Sequence, residues 1–88
     1  MFVLLIETYR NGDARAVYQR VRETGRGIPT ALRYVDSWVT EDLGRCYQIM
    51  EVSDPAALQD WMASWSDLVD FEVLRVIPSA EAARRALA

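Results

Sequence analysis

The order of apolar patterns along these 88 residues predicts an α+β fold, a four-stranded antiparallel sheet with two helices on one face and a short C-terminal helix. Three observations carry that prediction. Short apolar or alternating runs and helix-period stretches succeed one another as β-α-β-β-α-β. The segment Glu41-Asp42-Leu43-Gly44 is short enough to join the second and third runs as a hairpin. Turn and capping residues mark the element boundaries.

Met1 to Tyr9 is strongly apolar and reads as a buried strand. Asn11-Gly12-Asp13 then turns the chain, with Asp13 placed to cap a helix. Ala14, Val17, Tyr18 and Val21 fall at i, i+3, i+4 and i+7, while Arg15, Gln19, Arg20, Arg22 and Glu23 take the outer side of this amphipathic helix. Gly25 and Gly27 can adopt the left-handed backbone that ends it, and Pro29 forbids continuation. Arg33 to Val39 and Arg45 to Val52 form the hairpin. Pairing Thr40 with Arg45 sets Trp38 opposite Tyr47 and Asp36 opposite Ile49, provided no bulge intervenes.

Ser53-Asp54-Pro55 starts the second helix, proline sitting in the first turn where its missing N–H is harmless. Leu58, Trp61, Met62 and Trp65 repeat the apolar stripe, and the tryptophans are read as core. A final strand, Phe71 to Ile77, is ended by Pro78, and Ser79 can cap an alanine-rich tail helix to Leu87. Right-handed crossovers give this order the strand arrangement 4-1-3-2, a ferredoxin-like sandwich over residues 1–88 as a single domain.

The hairpin has two unlike faces. Val35, Ser37, Val39, Cys46, Gln48 and Met50 suit a face lying under helices. Tyr34, Asp36, Trp38, Tyr47, Ile49 and Glu51 mix aromatics with carboxylates and fall on the bare face, where the first strand is expected to add Val3, Leu5, Glu7 and Tyr9. An apolar surface of this extent marks an interface or a ligand groove.

Composition removes several chemistries. The chain has no histidine and no lysine, and it has one cysteine, so neither an internal disulfide, a histidine-activated nucleophile nor the His/Cys ligand set of zinc can be assembled from it. Cys46 is read as a small core residue. A formal charge of −3 and scattered arginines argue against nucleic acid, although Arg45 and Tyr47 match the basic-x-aromatic start of an RNA-binding signature before Gln48, Ile49 and Met50 break it. Glu7, Asp36 and Glu51 fall on three strands without a ligand loop, so neither a metal nor another cofactor is expected. No window reaches the length of a membrane span, and the first strand lacks the basic leader and length of a signal sequence, so the expected compartment is the cytoplasm.

Asn11-Gly12-Asp13, Arg33 to Val39, Arg45 to Glu51 and Asp67 to Val73 together resemble a bacterial domain-of-unknown-function family of short single-domain proteins. The resemblance covers nearly the whole chain and implies the dimeric α/β-barrel branch of the ferredoxin-like class, in which two bare sheet faces meet. It implies no activity and no catalytic residue.

Two functional classes stay open. In the first, a homodimer encloses a small-molecule site, with Tyr34, Trp38 and Tyr47 as walls and Glu7, Asp36 and Glu51 as polar anchors. If it is a cofactor-independent enzyme, Asp36 is the favoured general acid or base, being flanked by Tyr34 and Trp38. In the second, the aromatic face is the core of a non-catalytic dimer or assembly module, a reading that leaves the three carboxylates less well explained.

Overall fold

A computed structural model describes residues 1–88. Strand β1 (Phe2–Tyr9) leads through a tight 3-10 turn (Arg10–Gly12) into α1 (Ala14–Thr24). Next come the hairpin strands β2 (Leu32–Val39) and β3 (Arg45–Val52), then α2 (Pro55–Ser64), β4 (Val69–Val76) and α3 (Ser79–Ala86). Every sheet neighbour is antiparallel and the strands lie in the order β2-β3-β1-β4, the expected arrangement read from its other edge.

The helices begin where short polar side chains can satisfy their free N–H groups. Asp13 accepts from Ala16 N at 3.0 Å and Asp54 from Ala56 N at 3.0 Å, with Pro55 in the first turn of α2. At the end of α1, Gly25 takes φ +73° and donates its N–H to Val21 O at 2.8 Å. In the hairpin turn Thr40 N bonds Arg45 O at 2.8 Å, and Asp42 Oδ1 accepts from Gly44 N at 2.9 Å. β4 starts at Val69, earlier than its apolar run suggests. Ser79 lies inside α3, whose N-terminus is preceded by Pro78 and has no side-chain cap.

One face of the sheet carries the core. Val3 and Leu5 of β1, Met50 of β3 and Val69 of β4 are almost fully buried against Ala14 and Val17 of α1, Leu58 and Trp61 of α2, and Trp65 just beyond it. Two edge-on aromatic pairs tie the helices to the sheet: Tyr9 with Tyr18 at 6.2 Å and Trp61 with Phe71 at 5.8 Å between centroids. Arg20 clamps Asp67 with two guanidinium nitrogens and lies 5.1 Å from the Trp65 ring, joining α1 to the segment after α2. α3 buries none of its residues. No helix is long and apolar enough to cross a membrane.

The strand faces differ from expectation at two places. Glu7 pairs with Cys46, Leu5 with Gln48 and Val3 with Met50, so Val3, Leu5, Glu7 and Tyr9 lie under the helices and not on the bare face. The bare face receives Phe2, Leu4, Ile6 and Thr8 instead. In β2 the register shifts between Tyr34 and Asp36, leaving Val35 as the extra residue of a bulge. Tyr34, opposite Met50, therefore belongs to the helix-covered side, while Asp36 opposite Ile49 and Trp38 opposite Tyr47 keep the expected pairing on the bare side. Arg75, opposite Val3, falls on the covered side.

Candidate functional site

Between the covered face and the helices lies a cavity of about 50 Å³, lined by Glu7 and Tyr9 of β1, Val17, Tyr18 and Val21 of α1, and Arg26 of the loop after α1. Ser37 and Val39 of β2, Cys46 and Gln48 of β3, Trp61 and Trp65 of the α2 segment, and Val69 of β4 complete it. Most of the wall is apolar, with a small set of polar groups converging on it. Such a combination defines a candidate ligand site.

Two of those polar groups have no protein partner. Glu7 is 8% exposed and Gln48 4% exposed, and neither Glu7 Oε2 nor Gln48 Nε2 has a hydrogen bond to any protein atom. A buried polar atom left without a partner costs about 1–3 kcal/mol, so two in one cavity need a reason. Because Glu7 stands directly opposite Cys46, Gln48 occupies the diagonal position on the same face, within reach of a long side chain. The pair is an acceptor and a donor facing the same small space.

Burial sets the proton affinities here. Removal from water pushes the Glu7 carboxyl up to about 7, and the positive charge of Arg26 offsets part of that rise. The Cys46 thiol is pushed up to about 11, by burial first and by the neighbouring Glu7 charge second, so the thiol form prevails at neutral pH. The Tyr9 phenol is pushed up by burial and by its hydrogen bond to Tyr18, whose hydroxyl lies 3.4 Å away. A carboxyl that titrates near neutrality inside a cavity suits proton transfer.

Arg26 is held at the cavity by its backbone. Its carbonyl accepts the indole N–H of Trp61 at 2.9 Å and that of Trp65 at 3.1 Å, while Gly25 and Gly27, both at positive φ, flank it. Its side chain stacks on Tyr34, 4.7 Å from the ring centroid, and takes part in none of the salt bridges. The Tyr34 hydroxyl is hydrogen-bonded to Ser37 Oγ at 2.7 Å; that bond and the nearby guanidinium hold its phenol below the ordinary range. The bulge at Val35 is what brings Tyr34 to this side.

The remaining expected residues lie elsewhere. Trp38 is 74% exposed, and Tyr47, Ile49 and Glu51 are half-buried on the bare face. Glu51 accepts a charged hydrogen bond from Arg33 at 2.9 Å, directly across the strand pair. Asp36 is exposed, and its Oδ1 accepts from the next residue's N–H, that of Ser37, at 2.8 Å. Of the three carboxylates expected to serve as anchors, Glu7 alone is buried, and Tyr9 accompanies it. Sequence pattern assigned no ligand role to Arg26, Tyr18 or Gln48. One signal was present, an arginine set between two glycines able to take positive φ.

An α+β protein with one open antiparallel sheet and a helix-covered cavity holding a buried unpaired carboxyl is the class that these features define. The family model described as a domain of unknown function (DUF3303) matches residues 1–88, and the chain belongs to that family. No curated protein and no solved structure matches the chain.

Proposed function

We propose that the protein is a homodimeric small-molecule-binding protein, with capacity for cofactor-independent proton transfer, whose site is the cavity under α1 and α2. The observation that carries this reading is the pair of unpaired buried groups, Glu7 Oε2 and Gln48 Nε2, in one cavity. Glu7, raised towards neutrality, would be the acid or base, a role that sequence pattern alone favours for Asp36. Native mass spectrometry of freshly purified protein tests the reading: wild type should retain a small molecule that Glu7→Gln does not, and two bare spectra would count against it.

The bare face supports the dimer. Phe2, Leu4, Ile6, Tyr47, Ile49, Trp38, Leu74 and Val76 share it, and Trp38 and Leu74 are exposed. A flat apolar patch with Arg33, Arg45, Asp36 and Glu72 around it can meet its own copy across a two-fold axis, charges of both signs being present on each side. The finer reading of the fold, a ferredoxin-like sandwich of the dimeric α/β-barrel kind, rests on the element order, the strand order and this uncovered sheet. A non-catalytic assembly module would explain the patch equally, but it gives Glu7 and Gln48 no role. Light scattering at micromolar concentration should give twice the chain mass.

A further inference from the structure

Resting on that reading of the cavity, a more specific ligand chemistry emerges from the groups that face it. We propose that the cavity takes a small hydroxy acid, its hydroxyl seated between Glu7 and Gln48 and its carboxylate against Arg26.

Gln48 Nε2 can only donate, and Glu7 Oε2, when ionised, can only accept. A ligand group that satisfies both must accept from one and donate to the other. A hydroxyl does this with a single oxygen. A carbonyl would satisfy Glu7 only while that carboxyl is protonated, whereas a hydroxyl serves either form, and an ammonium would leave Gln48 unsatisfied while being repelled by Arg26. The diagonal placement of Glu7 and Gln48 on adjacent strands sets the two contacts within one small group's reach.

Arg26 supplies the second half of the specificity. It lines the same cavity, its charge reaches Glu7, and no carboxylate of the chain forms a salt bridge with it. With the guanidinium 4.7 Å from the Tyr34 ring and no carboxylate paired to it, its charge is available to a planar oxyanion, the group whose geometry arginine matches best. The two indole N–H bonds to its carbonyl fix the backbone from which that side chain extends. Size sets the third limit, since about 50 Å³ admits only a few heavy atoms, with Val17 and Val21 as apolar wall.

Titration of the full chain with three probes of similar size tests the assignment: lactate, propionate, which lacks the hydroxyl, and 1,2-propanediol, which lacks the carboxylate. Lactate should bind at least about tenfold more tightly than either, because a buried donor and acceptor reject an analogue that leaves them unpaired. Gln48→Met should remove the preference over propionate, and Arg26→Gln the preference over the diol, each variant first being checked for wild-type circular dichroism. Equal binding of the three probes by wild type overturns the hydroxy-acid assignment. If the purified protein then still carries another small molecule that Glu7→Gln releases, the cavity remains a ligand site; if it carries none, both readings fall.

Discussion

The guanidinium of Arg26 lies 4.7 Å from the ring centroid of Tyr34, a contact between a loop and an edge strand that exists because a bulge turns Tyr34 toward the helices. It closes one side of the cavity with a charge. The stack is exposed, so its worth is about 0.5–1 kcal/mol. Tyr34→Leu should therefore lower stability by no more than about 1 kcal/mol, yet raise amide exchange at Gly25, whose N–H is bonded to Val21 O. Unchanged exchange at Gly25 would show that Tyr34 does not hold the loop.

The carbonyl of Arg26 accepts two indole N–H groups, so the tryptophans are not independent. Trp61→Phe or Trp65→Phe alone leaves the carbonyl one partner, while the double variant leaves it none. Each single change should cost about 0.5–1.5 kcal/mol, and the double more than their sum, in a urea-unfolding cycle. Strict additivity would mean that the shared carbonyl is satisfied some other way once the indoles are lost.

Trp38 faces Tyr47 on the bare side and is 74% exposed, so it gives little to the fold of one chain. In a face-to-face dimer it would be buried by the partner. Trp38→Asp should leave the circular dichroism spectrum unchanged and halve the mass seen by light scattering, because it places charge in the middle of an apolar contact. A wild-type protein that is already monomeric would remove the sheet face from the proposed function.

Element positions were legible because they depend on local chemistry. Asp13, Gly25, Asp54 and Pro55 act on the backbone beside them, and their roles do not change with the tertiary setting. The faces of β1 were not legible for the opposite reason. Its even-numbered residues Phe2, Leu4 and Ile6 are apolar and half-buried, so no alternation distinguishes the two sides, and only the pairing of Glu7 with Cys46 decides between them. In β2, Tyr34, Val35 and Asp36 would alternate smoothly in a regular strand. The bulge that separates their faces is a property of the pairing with β3 and not of these three residues. The cavity inherits both difficulties, because Glu7 enters it through the β1 register and Tyr34 approaches it through the bulge. Arg26 enters through a loop whose position depends on indoles more than 30 residues away.

Glu7 gives the protein a pH dependence of unusual sign for a carboxylate. Its folded-state value of about 7 lies above the ordinary 4.5, so between these limits the folded chain keeps a proton that the unfolded chain has released. Stability from this group is complete below pH 4.5 and declines as pH rises to 7, by about 3 kcal/mol in all. The groups facing it are Arg26, whose charge moderates the shift, and Tyr9 and Cys46, which remain protonated throughout this range. Asp42 and Asp67, held below the ordinary carboxylate range by their hydrogen bonds, act in the opposite direction and at more acid pH. Comparing melting temperatures of wild type and Glu7→Gln from pH 4.5 to 8 isolates the contribution, since the other groups are common to both. Wild type should lose ground to the variant as pH rises, and the difference should level off above neutrality. Parallel curves would mean that the Glu7 carboxylate is solvated or paired in the folded protein, and Glu7 would then lose its claim to proton transfer at neutral pH.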